Sequence, residues 1–364
     1  MSFLRATRQN FLAAPTMTYT AGQTAVSALP KVGLLRRIIM LFSGTMTITL
    51  GGGTAVIGQE APFSLITRIR LVANGNTSIF DTSGWGGMIA SLFGAYGFSG
   101  YCGRPIVPDS ATAPGPVATG FAALNYAAGV SAGANAWRFA IEIPLGIADD
   151  WRPPQGLILA AAPDTSLTLE VSFGATLYST VASRSTPVTV TGAATAALTG
   201  TITPLVEFFT VPANPADYPD LRRVHTWTEV GPQPIVANAD QQVVIGRGNT
   251  VMRIIHIVHT NSAPDSTNVT RRTLSYNQNE IPYATTLQGD AVIQRKRYVR
   301  DLPDGTYVCD LWNSGTPRDA VNTLNLNELV STLTISGATI AGATDIRTLI
   351  EQIITLSGAV AGSA

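Results

Sequence analysis

The chain has 364 residues, of which 45% are hydrophobic and only 13% charged, with 23 basic residues balancing 23 acidic ones. The length is too great for one ordinary core and suits two. Zero net charge with no long basic stripe argues against a nucleic-acid binder, and no apolar run approaches the roughly 20 residues of a membrane-spanning helix. An apolar, weakly charged chain of this kind is expected to bury surface within sheets and against other subunits.

In chain order, "MSFLRATRQNFLAAP" has charge but no apolar h-region, so it does not read as a secretory signal and implies intracellular synthesis. Phe3 to Leu12 is expected to form a short helix with Arg5 and Arg8 exposed. "LPKVGLLRRIIMLFSGTMTITL", Leu29 to Leu50, follows as a buried-strand pattern with two arginines inside it. "GGGTAVIG" lacks the Lys-Ser/Thr of a phosphate-binding loop and reads as a hairpin loop. After the strand "ITRIRLVAN", the run Gly86 to Gly97 repeats apolar residues at three and four positions and predicts a short helix. Ser110 to Gly120 has loop composition.

"WRFAIEIPL" and "TSLTLEVSF" read as strands, the second with Leu167, Leu169, Val171 and Phe173 on one face. "GTITPLVEFFTV" is a further strand, and Pro212, Pro215 and Pro219 make Thr210 to Leu221 a semi-rigid linker. Short Thr/Val/Ile segments, scattered Gly and Pro, and turns about every ten residues give the pattern of an all-β sandwich or jelly roll.

The two sides of the linker run in parallel. "LLRRIIMLFSGT" matches "VMRIIHIVHTNS", and "LITRIRLVANGNTSIFDTSGWGGMIASL" matches "NVTRRTLSYNQNEIPYATTLQGDAVIQR". "WRFAIEIPLG" and "TSLTLEVSFG" match "GTYVCDLWNSG" and "LVSTLTISG" in the same order. Four ordered matches indicate two copies of one β-domain, each with a helix or turn in the same place.

Site chemistry is sparse. His225, His256 and His259 are the only imidazoles. His256 and His259, three apart on a strand, point to opposite faces and cannot share a metal, which makes them structural. No GxSxG elbow accompanies His225, and Asp149 and Asp150 diverge on an extended chain, as turn or cap residues do. Cys102 and Cys309 read as reduced, buried thiols. "RKRYVR", Arg295 to Arg300, is the densest basic cluster and is expected at a strand edge or subunit contact. Lys31 and Lys296 are the only lysines.

The strand pattern of "LPKVGLLRRIIMLFSGT", "PFSLITRIRLVANGNTSIFDTSGWG" and "LPDGTYVCDLWNSGTPRDAVNTLNLNELVSTLTISG" resembles that of the double jelly-roll major capsid proteins of tailless icosahedral bacteriophages. The likeness spans Met17 to Ile353 without a short invariant motif. It implies an all-β chain of two tandem eight-stranded jelly-roll (β-sandwich) domains with short helices: an N-terminal arm at 1–15, a first jelly roll at 16–212 and a second at 213–364. It further implies homotrimeric, pseudo-hexagonal capsomers tiling an icosahedral virion capsid, because two similar domains in each of three subunits mimic six positions. The expected partners are the chain itself, minor capsid or vertex proteins and an internal membrane, with no sequence-specific nucleic acid, no cofactor and no enzymatic activity.

Arg36, Arg37, Arg68, Arg70, Arg271 and Arg272 are expected in sheet edges or subunit contacts. Phe3, Arg5, Arg8 and Phe11 would belong to the inner arm. The alternatives are a phage tail, baseplate or spike component and a tandem carbohydrate-binding module, the latter requiring aromatics on an exposed flat face.

Overall fold

A computed structural model describes residues 2–58, 60–93, 130–149, 152–181, 183–260, 263–265, 267–277, 280–298, 303–311, 320–336 and 344–355. Cys102, Asp150, Trp151, Trp312 and the loop expected at Ser110 to Gly120 lie outside these residues. The chain divides into two compact units, Met1–His225 with Gly358–Ala364, and Thr226–Ser357.

Sixteen strands carry the architecture. In the first unit they are β1 (Gln9–Ala13), β2 (Thr24–Ala28), β3 (Leu34–Thr49), β4 (Ile66–Ala73), β5 (Thr77–Thr82), β6 (Gly133–Pro144), β7 (Leu167–Phe173) and β8 (Thr195–Phe209). Pairing gives two four-stranded orders, β1-β8-β3-β6 and β2-β7-β4-β5, all antiparallel. The second set is β9 (Arg223–Pro234), β10 (Asp240–Val244), β11 (Thr250–Thr260), β12 (Val269–Tyr276), β13 (Glu280–Thr286), β14 (Thr306–Asp310), β15 (Leu329–Ile335) and β16 (Asp345–Thr355). Its orders, β9-β16-β11-β14 and β10-β15-β12-β13, are those of the first set with eight added to each number. Each set has jelly-roll topology.

The two sheets of the second unit face each other. One apolar cluster takes Val243, Leu274 and Leu329 from one sheet and Val251, Ile254, Cys309 and Ile350 from the other or its edge. A neighbouring cluster does the same with Val269, Leu333 and Ile335 against Val258, Tyr307 and Ile346. In the first unit the alternation of β7 is realised, with Leu167, Leu169, Val171 and Phe173 all buried, and Phe42 stacks on Phe139 at 4.7 Å.

The repeat read from the sequence occupies matching positions. The first matched pair falls on β3 and β11, the second on the β4–β5 and β12–β13 hairpins with their following helices, the third on β6 and β14, and the fourth on β7 and β15. Both hairpins turn on a left-handed asparagine, Asn74 at φ 51° and Asn277 at φ 50°. Each ties to the residues just before the fourth matched strand, β7 or β15: Asn74 Oδ1 accepts from the Ser166 amide at 2.9 Å, and Asn277 Oδ1 from the Asn327 amide at 2.6 Å.

Three helices are described: α1 (Ser2–Ala6), α2 (Gly84–Phe93) and α3 (Leu287–Tyr298). The N-terminal helix is shorter than its sequence suggests, because Gln9–Ala13 pairs with Leu205–Phe209 and its backbone hydrogen bonds go to the sheet instead. The described part of the basic run, Arg295 to Tyr298, ends α3 and is not on a strand. "GGGTAVIG" makes a turn with Gly51 at φ 52° and Gly52 at φ 87°, then a short strand, Ala55–Ile57, against Val188–Val190.

Candidate assembly surfaces

Interior arginines come first, because their neighbours decide which charges remain for a partner. The β3–β8 register shifts between Glu207 and Phe208: Glu207 faces Arg37 while Phe208 faces Leu35. Arg36 is therefore the extra residue of a β-bulge, and the bulge lets two successive arginines reach one carboxylate. Glu207 is fully buried; it accepts from Arg36 at 2.9 Å, from Arg37 and from Gln9 of β1. Arg37 also reaches Glu142 on β6 at 3.0 Å. Burial pushes the Glu142 carboxyl up, against the pull of Arg37.

The second unit repeats the device. Arg253 of β11, completely buried, pairs with Glu351 of β16 and with Asp310 of β14 at 3.4 Å, beside a register shift between Val251 and Arg253. Each jelly roll thus holds its third strand to its sixth and eighth through an arginine between carboxylates. In buried ion pairs of this kind desolvation offsets much of the attraction, so the cost falls on whichever change leaves one partner uncompensated.

Arg272 of β12 is also interior. Its Nη2 donates to Asp290 at 2.6 Å, to the Tyr283 hydroxyl at 2.9 Å and to the Val308 carbonyl at 2.7 Å. Asp290 belongs to α3 and also accepts from Gln294 at 3.0 Å, so this cluster fastens the helix to the sheet. Burial raises the Asp290 pKa, opposed by Arg272. Arg68 and Arg70 lie nearer the surface, Arg68 holding Asp81 with two 2.7 Å bonds and Arg70 reaching Glu170 at 3.2 Å. Arg271 is exposed. Of the six arginines singled out in the sequence, Arg36 and Arg272 are buried by their own unit, and Arg68 and Arg271 face outward.

Among the N-terminal candidates, Phe3 is buried against Leu34, Leu157 and Phe209, with its ring edge-on to Phe209 at 5.3 Å. Arg5, Arg8 and Phe11 are exposed.

His256 takes the structural role expected from its place on a strand. Nε2 meets Ser331 Oγ of β15 at 2.7 Å and Nδ1 meets Thr348 Oγ1 of β16 at 2.9 Å, so the ring bridges the two sheets through the core. Burial and the Arg272 charge push its pKa down to about 3. His225 and His259 are buried as well. Among the described residues no group of three or more His, Cys, Asp or Glu side chains is placed to hold a metal ion. Trp85, Trp137 and Trp227 are all buried, so none of them belongs to an exposed aromatic platform.

Glu207, Glu351 and Asp290 were not singled out in the sequence. The available signal was a lone acid in an apolar strand late in each half, "PLVEFF" and "TLIEQII".

No protein-family model and no curated protein matches the chain. Solved structures do. The major capsid protein of Sulfolobus turreted icosahedral virus superposes with a TM-score of 0.68 at 13% identity, covering 96% of this chain and 97% of that one. The PBCV-1 virus capsid gives 0.57 at 10% identity over 98% and 97%, and the major capsid protein P2 of bacteriophage PM2 gives 0.51 at 10% over 97% and 99%. The chain has the double jelly-roll fold. At these identities the likeness is one of fold, reached from strand orders that the two halves of this chain also share with each other.

Proposed function

We propose that the chain is the structural major capsid protein of an icosahedral virus, assembling as homotrimers whose pseudo-hexagonal outline lets them tile a shell. The observation that carries this reading is the presence of two jelly rolls of identical strand order in one chain, which three copies turn into six similar positions around an axis. Three solved capsid structures with the same fold over nearly the full length support it.

On this reading the virus is of the tailless-phage type, the protein is made in the host cytoplasm and resides in the virion capsid, and its role is not enzymatic. Residues 1–15 lie on the inner side of the shell and add β1 to the first jelly roll, whose other strands fall within 16–212, and 213–364 carries the second. Arg5, Arg8 and Phe11 are available to an internal membrane, a minor capsid or vertex protein, or a neighbouring capsomer. Arg68 and Arg271 are the arginines best placed for contacts between subunits.

Light scattering on the purified protein, followed by electron microscopy, tests the proposal. The expected particle has three times the 38.2 kDa chain mass and a hexagonal outline. A stable monomer at micromolar concentration would overturn it, and an open fibre or a ring without that outline would point to a tail or baseplate component.

A further inference from the structure

The two copies of the repeat differ in one respect that bears on assembly. After each hairpin comes a helix, and α2 buries Trp85, Met88, Ile89, Leu92 and Phe93. The matching helix α3 is inverted. Its polar residues Asp290 and Gln294, one turn apart, are buried, Asp290 accepting from Arg272 and from Gln294, while Val292 is 67% exposed and Ile293 46% exposed. Beside it, β13 pairs with β12 alone among the described strands, so one row of its backbone groups faces outward, next to Ile281 at 55% exposure. A helix exposing Val292 and Ile293 beside a strand edge that exposes Ile281 is a surface that calls for a cover.

A second surface of matching character lies in the first unit. Among the described strands β1 is the edge of its sheet, pairing with β8 alone, and carries Phe11 at 51% and Leu12 at 42% exposure. Charge complements the apolar match: Arg8, exposed, precedes β1, and Glu280, exposed, opens β13.

We propose that the β13 edge and helix α3 of one copy dock on the β1 edge of a second copy of this chain. This rests on the homotrimer reading and names its contact. Because the two surfaces differ, the interface is heterologous, and repetition about a rotation axis closes it into a ring in which no copy leaves its β1 or β13 edge uncovered. Strand-edge pairing satisfies the outward backbone groups, which an apolar patch alone would not require.

Two experiments on the full chain test this. Ile281→Asp and Val292→Glu, both at exposed positions, should weaken assembly about tenfold or more, read as a shift from trimer to monomer by light scattering with unchanged far-ultraviolet circular dichroism. Separately, with Cys102→Ser as background, chains carrying Phe11→Cys and chains carrying Ile281→Cys are mixed before assembly and treated with a short bismaleimide. A link between copies is expected for that pair, and none when Val26→Cys on β2 replaces Phe11→Cys. A trimer that persists in both charge variants and gives no 11–281 link would overturn the inference while leaving the trimer standing. A monomeric parent protein would overturn both. Where a charge variant fails to fold, the cross-link decides alone.

Discussion

Glu207 shows how much a single side chain can organise. Fully buried, it receives Arg36, Arg37 and Gln9, and so ties β1, β3 and β8 at one point. Removing the acid while leaving two interior guanidinium groups is the expensive way to break such a network. Glu207→Ala should cost about 3–5 kcal/mol in a denaturant titration. Arg68→Ala, which breaks a pair whose arginine side chain is 53% exposed, should cost less than about 1 kcal/mol. His256 supplies the pH dependence. Its folded pKa, about 3, lies below the ordinary 6.5, so below pH 6.5 the unfolded chain takes up a proton that the folded chain refuses. The stability from keeping the ring neutral is complete above pH 6.5 and declines as pH falls toward 3. Between pH 7.5 and pH 5 the parent should lose about 2 kcal/mol more than His256→Gln, measured by urea unfolding at both values.

Hairpins and helices set the next scale. Asn74 and Asn277 take the left-handed conformation that suits asparagine better than most residues, and each side chain then holds the chain just before β7 or β15. Asn277→Ala loses both services and should cost about 2 kcal/mol by thermal unfolding, whereas Asn277→Gly keeps the backbone freedom and should cost about half as much. The asparagine-rich turns were legible in the sequence because turn chemistry is local. The helix pair was legible only in part. The apolar spacing of α2 announces a buried helix, but "LQGDAVIQRKRY" gives no sign that Asp290 and Gln294 face inward, since that depends on Arg272, eighteen residues earlier on another element. The N-terminal segment misled for a similar reason: Gln9–Ala13 has little preference of its own and becomes a strand because the β8 edge is available to it.

For the whole molecule, the two units carry the same strand orders over diverged sequences. Local patterning therefore determined a good deal by itself: an all-β chain, a repeat in four ordered segments, turns at Gly, Pro and Asn, and the inward faces of strands such as β7. These follow from period-two burial and from backbone preferences that act over a few residues. Tertiary structure decided the rest. Register is a long-range property, so only the pairing of β3 with β8 reveals the bulge that places Arg36 and Arg37 on one acid, and only the facing of two sheets brings Ser331 and Thr348 to His256. Which arginines are consumed inside the subunit and which remain for a partner was decided by acids on other elements, Asp290 for Arg272 and, more than a hundred residues away, Glu207 and Glu142 for Arg37, because a charge is neutralised by what folding brings near it and not by its immediate neighbours in sequence.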